Sequence, residues 1–384
     1  MTRRDLDAAT RSVPVALVGP GGMGSKYIAL LTRGEVPGLR LAAVAAGSPA
    51  SADRARQLCG AGVSVFESED ALYAHAELFE AVIITTPHAL HPAMAARALA
   101  AGKHVLVDKP AGVSLLACQG LPGEAAASGR VAAVMFHQRL YPKHRKLREL
   151  LDAGVLGRLY RVTMENTRFL RTAHYHASGA WRSSWTGEGG GALINQGQHL
   201  LDLWLWLFGM PASVTGHLRF GKYNAFRVDD EALLYLRYPD GMTGSFFLTT
   251  GEGTWTERLE IAGSKGSVTL DRDTLTLRTY DCDLDEYRAH AEVNAREALH
   301  ATETTWTLPT ERETHRDVLE NFARAIRGGA PPVADVRDGV RAVELMNAAY
   351  LSAWLGQDVK LPLTDPAVYE RELEKRREEE RREC

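Results

Sequence analysis

The chain of 384 residues is too long for one ordinary hydrophobic core and predicts two domains. Its 45% apolar and 24% charged residues are typical of a soluble globular protein, and a net charge of −3 provides no large basic field for nucleic acid or an anionic membrane. With no apolar run long enough for a signal segment or membrane span, and no paired spacing among four cysteines, we expect a cytoplasmic protein with free thiols and no metal.

Strand and helix patterns alternate through the first 141 residues. Short apolar runs predict strands that are buried on both faces of a parallel sheet. The predicted strands cover 13–19, 39–47, 81–87, 103–110 and 131–139, and the predicted helices cover 25–33, 53–59 and 91–102. This alternation predicts a doubly wound α/β Rossmann domain over residues 13–141.

The pattern changes after Pro142. A helix is predicted at 143–154, and strands with partial alternation are predicted at 158–168, 232–241, 244–250, 258–271 and 274–280. Further helices are predicted at 316–329 and 337–357. We therefore expect an α+β domain with an open, mainly antiparallel sheet over residues 142–365, followed by a charged tail at 366–384 that is a solvated helix or frayed.

A glycine loop follows the first predicted strand. Gly19, Gly21 and Gly24 form a G-x-G-x-x-G pattern that opens a helix, which is the dinucleotide fingerprint. Gly19 suits the tight turn, Gly21 lets the backbone approach a pyrophosphate, and Gly24 lets helix and strand pack closely. The phosphates would lie at the positive N-terminal end of the helix. The alternative is a simple turn that needs positive φ.

The end of the second predicted strand lacks the acidic residue that usually binds the ribose 2′-hydroxyl. Ala46 and Gly47 stand where that carboxylate is expected. Its loss removes a repulsion against a 2′-phosphate, and Ser48 and Arg54 could contact one. The choice between NAD and NADP therefore stays open at this point.

Lys109 ends a buried strand in the segment HVLVDKPAG. A lysine at the carboxyl edge of a parallel sheet points into the ligand crevice. Burial and a nearby cationic nicotinamide would lower its pKa, which suits proton transfer. The alternative is a surface lysine on a βα loop.

The segment GEGGGALINQGQHLLDLWLWLFG places polar side chains on an apolar helix. Asn195, His199 and Asp202 are separated by four and three residues, so they share one helix face. Glycines 189–191 would allow close approach of the backbone to a ligand. The alternative is a polar trio that is satisfied within the core, and for Asp202 a helix-capping role is equally open.

Three features together resemble the Gfo/Idh/MocA oxidoreductases, from about Val13 to Leu361: GPGGMG, TTPHALHP followed by DKP, and GGGALINQGQHLLD. The resemblance implies an N-terminal Rossmann domain that holds a nicotinamide cofactor, NAD in our expectation with NADP not excluded. It also implies a C-terminal domain that covers a sugar and often forms the oligomer interface. We accordingly expect a homodimer or homotetramer.

The resemblance assigns roles to individual positions. Lys109, with Asp108 in place of glutamate, and His199 are the implied catalytic residues, and Asn195 replaces the family's aspartate. His88 stands where asparagine is usual. The expected cofactor contacts are Gly19, Gly21, Gly22, Met23, Gly24, Ser48, Thr86, Pro87, His88, His91 and Lys109.

The segment RTAHYHASGAWRSSW further resembles the branch of the family that acts on glycosides and anhydrosugars. Aromatic rings suit pyranose faces, and Arg or His donors suit hydroxyls. The expected substrate contacts are Lys109, Arg139, Tyr141, Tyr175, His176, Trp181, Arg182, Asn195 and His199. The alternative is an irregular loop that is tied down by aromatic packing, with Arg139 and Tyr141 only positioning the crossover between domains.

The leading hypothesis is an NAD(P)-dependent dehydrogenase that oxidises a secondary ring hydroxyl of a sugar, glycoside or anhydrosugar, with C3 as a candidate position. His199 or Lys109 would take the hydroxyl proton. A keto-sugar reductase, an inositol dehydrogenase and a non-catalytic nicotinamide-sensing regulator are the alternatives. A metal site built from His137, His144, His174 and His176 is not favoured, because no spacing matches a common ligand pattern.

Overall fold

The computed structural model describes residues 12–179, 181–292, 300–310 and 314–383. Contacts between residues group the chain into two units, one of residues 1–137 with 313–343 and one of residues 138–312 with 344–384. The predicted ranges 13–141, 142–365 and 366–384 follow chain order. Packing instead places residues 313–343 with the N-terminal unit.

The elements are labelled in chain order. The strands are β1 Val13–Val18, β2 Leu39–Ala45, β3 Ser64–Phe66, β4 Ala81–Ile84, β5 His104–Val107, β6 Ala132–Val134, β7 Leu159–Asn166, β8 Ser213–Phe220, β9 Asp229–Arg237, β10 Thr243–Thr249, β11 Glu257–Gly263, β12 Gly266–Asp271, β13 Thr274–Tyr280, β14 Ala301–Thr307 and β15 Val359–Lys360. The helices are α1 Gly22–Thr32, α2 Pro49–Cys59, α3 Glu69–Tyr73, α4 His91–Ala100, α5 Leu115–Cys118, α6 Leu121–Ser128, α7 Pro142–Asp152, α8 Ala173–Ala177, α9 Ala192–Asn195, α10 Gly197–Phe208, α11 Leu284–His290, α12 Thr314–Ile326, α13 Val336–Leu355 and α14 Ala367–Glu383.

The N-terminal unit contains a six-stranded parallel sheet in the order β3-β2-β1-β4-β5-β6. The strands are mostly buried on both faces, as the continuous apolar runs predicted. The order changes direction between β1 and β4, so the loops after these strands lie at the switch point where open α/β sheets bind ligands. The predicted Rossmann fold class is confirmed.

The C-terminal unit contains a nine-stranded sheet in the order β14-β13-β12-β11-β7-β10-β9-β8-β15. All neighbours are antiparallel except β7 and β10, which are parallel. Helix α10 packs on this sheet: Trp204 is fully buried, and a Cβ at Gly244 of β10 would collide with its ring. The predicted open, mainly antiparallel sheet is confirmed.

Three strands of this sheet were missed by the sequence patterns: β15, which has only two residues, and the longer β8 and β14. In β8 a glycine, Gly216, occupies a buried position and the apolar Phe220 is exposed, so the alternating pattern is incomplete. In β14 the run ATETTWT is almost wholly exposed, so no buried face marks it as a strand. Both are recognisable only from their pairing partners, β9 and β13.

The charged C-terminal segment is a packed helix, which corrects the expectation of a solvated or frayed tail. Tyr369 and Leu373 of α14 are fully buried, and the Arg376 guanidinium lies 3.9 Å from the ring centroid of Trp354. Two apolar residues spaced by four are enough to dock one face of a helix, but they are inconspicuous within a run of charges.

Candidate active site

The glycine loop joins β1 to α1 in the N-terminal unit. Gly19 has φ +89°, and a Cβ there would lie 2.8 Å from Cγ2 of Thr86. A Cβ at Gly24 would collide with the carbonyl oxygen of Gly19. These two glycines are therefore required by the protein's own packing, as the fingerprint predicted.

Gly21 and Gly22 have no such packing reason. Both are exposed, and a Cβ at either position would meet no described atom within 4 Å. No side chain of the described residues caps α1, and its first turn carries no acidic residue. The Gly21 amide donates to the Gly19 carbonyl oxygen at 2.8 Å, and the open space beside Gly21 and Gly22 at the positive N-terminal end of α1 suits a phosphate group, so the loop fits a dinucleotide.

The end of β2 offers no carboxylate for a ribose. Ala46 is buried, and the exposed Ser48 uses its hydroxyl to accept a hydrogen bond from the Ser51 amide at 3.3 Å, which caps α2. Asp53, the next acidic residue, accepts a hydrogen bond from Arg56 at 2.7 Å. Ser48 was expected to contact cofactor, and the structure shows it as a helix cap.

His91 ties together the loops after β4 and β5. Its Nε2 lies 2.7 Å from the carbonyl oxygen of Thr86, and its Nδ1 lies 2.7 Å from that of Pro110. The ring is buried, and this burial lowers its pKa. His88 is also buried and packs edge-on against His91, with ring centroids 5.9 Å apart. His91 therefore supports these loops, whereas Thr86 and Pro87 stay accessible.

Lys109 follows β5 at the carboxyl edge of the sheet. Its side chain is partly exposed, and its backbone amide donates to Oδ1 of Asp108 at 2.9 Å. The peptide bond between Lys109 and Pro110 is cis. Since β4 and β5 are neighbours, Lys109 and the Thr86 loop share one edge of the sheet.

In the C-terminal unit, Asn195 and His199 are the accessible polar residues of an otherwise buried stretch. Asn195 ends α9, and His199 lies in the first turn of α10 beyond a break at Gln196. Both side chains are partly exposed, whereas Gln196 and Gln198 are buried. Of the three residues predicted to share a helix face, Asn195 and His199 are thus accessible and Asp202 is buried, and the helix is interrupted at Gln196.

Asp202 and Arg139 form a bidentate ion pair. Arg139 Nε lies 2.9 Å from Oδ2 of Asp202, and Nη2 lies 2.5 Å from Oδ1, with the side chains 5% and 2% exposed. A pair this buried is costly to break, because removing one partner leaves the other charge without compensation. We expected Arg139 to contact substrate. In the structure its guanidinium group is paired with the Asp202 carboxylate.

The glycines before α9 approach protein atoms rather than open space. A Cβ at Gly191 would collide with the Asp229 carbonyl oxygen, and one at Gly190 with the hydroxyl of Tyr350. The buried Asp229 carboxylate accepts from the amides of Gly191 at 2.8 Å and Leu193 at 2.7 Å, and from the Tyr350 hydroxyl at 2.6 Å. Burial raises the pKa of Asp229, although these hydrogen bonds act to lower it. Gly190 and Gly191 were expected to let a ligand approach the backbone. In the structure they are required by close packing against Tyr350 and Asp229.

Glu188 is a site residue that the sequence reasoning missed. Its carboxylate is 2% exposed, and Oε1 accepts a hydrogen bond from Nδ2 of Asn195 at 2.5 Å. Its Oε2 accepts from the amide of Ser183 at 2.7 Å. The only sequence signal was an acidic residue directly before a glycine run.

Tyr175 brings several predicted substrate residues together. Its hydroxyl accepts from Nη1 of Arg182 at 2.9 Å and from Nδ2 of Asn195 at 3.2 Å. The Arg182 guanidinium also lies 4.7 Å from the ring centroid of Trp181. His176 turns to Ser183, with Nδ1 and Oγ 2.5 Å apart, and burial lowers its pKa.

Tyr141 occupies a different environment from these residues. It stacks on His144 at the start of α7, with ring centroids 5.4 Å apart.

Within the described residues, no group of three or more His, Cys, Asp or Glu could hold a metal ion. Nor is any helix of the described chain long and apolar enough to cross a membrane.

Comparison with protein families matches both parts of the chain. Residues 13–136 match the oxidoreductase family's NAD-binding Rossmann fold, and residues 148–361 match its C-terminal alpha/beta domain. Both models are those of the Gfo/Idh/MocA group.

Curated relatives and solved structures are similar over different lengths. The uncharacterised oxidoreductase YdgJ of Escherichia coli is 31% identical over 53% of this chain, and the match spans only 56% of that protein. D-glucoside 3-dehydrogenase of Escherichia coli is 26% identical over 90% of this chain and 97% of its own. The WlbA dehydrogenase of Chromobacterium violaceum, solved with NADH and UDP-GlcNAcA, has a TM-score of 0.78 and 26% identity over 92% of this chain and 97% of that one.

Proposed function

The chain belongs to the Gfo/Idh/MocA family of oxidoreductases, and we propose that it is a nicotinamide-dependent dehydrogenase that oxidises a secondary ring hydroxyl of a sugar, glycoside or anhydrosugar. The observation that carries this proposal is the accessible pair Asn195 and His199, of which Asn195 is joined through Tyr175 to Arg182, whose guanidinium lies over the Trp181 ring. Hydrogen-bonding groups beside aromatic rings suit a pyranose. Similarity to a D-glucoside 3-dehydrogenase over 90% of the chain makes C3 the first candidate position.

The residues of the chain divide the work of such a reaction. The nicotinamide, when bound, supplies a hydride acceptor. His199 or Lys109 takes the proton of the substrate hydroxyl, and the positive charge of Lys109 stabilises the developing alkoxide. Asn195, Tyr175 and Arg182 orient the ring through hydrogen bonds. Arg139 acts as a positioning residue, because its ion pair with Asp202 anchors α10, which carries His199.

For the cofactor we propose NAD rather than NADP. The N-terminal end of α1, beside the open space at Gly21 and Gly22, would hold the pyrophosphate, and Thr86 and Pro87 would line the same sheet edge. The similarity to an NAD-binding Rossmann fold supports NAD despite the missing acid at position 46. A preference for NADP above about tenfold, or about 1.4 kcal/mol, contradicts this choice. Ala46→Asp should then shift preference toward NAD by repelling a 2′-phosphate.

We also propose a homodimer or homotetramer. Leu233 and Tyr235 of β9 are each 40% exposed on the nine-stranded sheet, and apolar residues on an open sheet favour a cover. Light scattering at micromolar concentration tests this proposal, and a monomer contradicts it.

A cytoplasmic location is proposed on the free thiols of Cys59, Cys118 and Cys282, and cell fractionation tests it.

The decisive experiment is a cofactor-reduction screen. Pyranosides, anhydrosugars and inositols are each offered with NAD and with NADP, and reduced cofactor is measured by absorbance. Turnover of a pyranoside or anhydrosugar supports the proposal. Tight cofactor binding without turnover of any compound contradicts it and favours a nicotinamide-sensing regulator.

A further inference from the structure

Two arginines gather around the Tyr175 ring in the C-terminal unit. The guanidinium carbon of Arg171 lies 4.4 Å from the ring centroid, and that of Arg182 lies 4.6 Å from it. The phenol of the same tyrosine bonds to Asn195, so this cationic cluster adjoins the accessible helix face. We call Arg171, Tyr175 and Arg182 the arginine–tyrosine cluster.

Neither arginine of the cluster forms an ion pair with a carboxylate among the described residues. Arg182 donates to the Tyr175 hydroxyl, and Nε of Arg171 is buried without a hydrogen-bond partner within that part of the chain. Other arginines of this unit differ: Arg168 pairs with Glu257 at 2.8 Å, and Arg139 pairs with Asp202. Two clustered cations without a counter-charge repel each other, which an anionic ligand would relieve.

The first acidic residue after Arg182 in the chain is engaged elsewhere. Glu188 accepts hydrogen bonds from Asn195 and Ser183, and no ion pair joins it to Arg182 in the described structure. The field of the two arginines is also felt at His176, whose pKa they lower in addition to the larger effect of burial. Asp230 acts on this pKa in the opposite direction, but its carboxylate accepts from the Lys222 amide at 3.0 Å and the Tyr223 amide at 2.7 Å rather than from either arginine.

We propose that the substrate carries an anionic group, a carboxylate or a phosphate, which binds Arg171 and Arg182 while the sugar ring faces Asn195 and His199. The arginine fork matches the planar geometry of both anions and can bind either through paired hydrogen bonds. This inference rests on the proposed dehydrogenase function and narrows its substrate class to acidic sugars or sugar phosphates.

The test compares matched neutral and anionic compounds. Initial rates with NAD are measured for methyl glucoside, methyl glucuronide and glucose 1-phosphate, and calorimetry measures binding of the same three compounds. Arg171→Gln and Arg182→Gln are the test variants, and Arg161→Gln, which removes a charge on β7 that pairs with Glu260, is the control. The glucuronide and the phosphate separate the two possible anions.

We expect at least one anionic compound to bind tenfold or more tightly than methyl glucoside. Either test variant should remove most of that preference and raise KM more than it lowers kcat, with the control unchanged. Equal binding of neutral and anionic compounds, or a preference that both variants retain, overturns the inference. Turnover of the neutral glycoside alone leaves the dehydrogenase proposal intact and rejects the anion, whereas anion binding without any turnover rejects the dehydrogenase alone.

Discussion

A buried carboxylate stands directly behind Asn195: Oε1 of Glu188 accepts a hydrogen bond from Nδ2 of Asn195 at 2.5 Å. The same Nδ2 lies 3.2 Å from the Tyr175 hydroxyl. These two contacts assign the amide nitrogen to this side and leave the amide oxygen as an acceptor on the other. The buried Glu188 carboxylate thus fixes the orientation of the Asn195 amide.

Glu188→Gln should change how activity depends on pH. Removing a negative charge near the helix face disfavours protonation of a base there, so the acidic limb of the kcat/KM profile should move to lower pH. KM should rise because Asn195 loses its orientation. Glu260→Gln on the exposed sheet surface is the control and should behave as wild type. A Glu188→Gln profile that coincides with wild type contradicts this role.

Lys109→Ala should lose at least as much kcat as His199→Ala. Asn195 carries no charge of its own to stabilise a protonated His199, so more of the proton transfer falls to Lys109. The expected loss is about a hundredfold or more, the usual size of a general acid–base contribution. Steady-state kinetics measures it, and both variants should still bind cofactor. Near wild-type turnover by Lys109→Ala with an inactive His199→Ala would show that the histidine is the base.

Gly21→Ala and Gly24→Ala should fail in different ways. A methyl group at Gly21 enters open space at a φ of −76° that any L residue adopts, so thermal stability should be unchanged while NADH affinity falls about tenfold or more. A methyl group at Gly24 meets the Gly19 carbonyl, so this variant should lose stability. Gly123→Ala in α6, also in open space, is the control. Full NADH affinity in Gly21→Ala contradicts a phosphate in the space beside Gly21.

Glu380→Ala should weaken substrate binding at a distance. The Glu380 carboxylate accepts from the backbone amides of Trp185 at 3.0 Å and Thr186 at 2.8 Å, so α14 holds the loop that carries Trp181 and Arg182. Its loss should raise KM several-fold with a smaller effect on kcat. Glu378→Ala, whose partner Arg382 is exposed, should leave KM unchanged. Equal KM values for the two variants would mean that α14 does not position the loop.

The His144 side chain should make stability depend on pH. Burial lowers its pKa to about 4, despite the hydrogen-bond distance of 2.7 Å to the Gln138 carbonyl oxygen. Since the unfolded chain titrates near 6.5, this group's contribution is fully present above about pH 6.5 and is lost as pH falls toward 4. The lowered pKa of His144 corresponds to a contribution of about 3 kcal/mol at most to the free energy of unfolding.

Urea unfolding at pH 7.5 and at pH 4.5 measures this contribution. His144→Gln keeps a donor for the Gln138 carbonyl but does not titrate, so its stability should fall less between the two pH values. A variant that loses as much stability as wild type shows that other groups dominate the acid sensitivity.

Local patterns were enough to predict the elements that line the cofactor side of the N-terminal unit. The buried strands, the spacing of Gly19, Gly21 and Gly24, and the place of Lys109 after β5 each depend on residues within a few positions of one another. A strand's hydrophobic period and a helix's start are local properties, which is why the sequence alone predicts them. Helical spacing likewise suggested one face for Asn195, His199 and Asp202, but it did not predict that Asp202 is buried.

Tertiary structure alone decided which buried charge meets which partner. Arg139 pairs with Asp202, which lies 63 residues later in the chain. Asp229 accepts a hydrogen bond from the Gly191 amide, 38 residues earlier. Glu380 accepts one from the Trp185 amide, 195 residues earlier. Nothing in the local pattern distinguishes these acids from solvated ones. A charge becomes structural when distant segments bury it and supply its hydrogen bonds, and that depends on the packing of the whole chain. For the same reason Glu188, one glutamate in a glycine run, shows its role only where the fold sets it against Asn195.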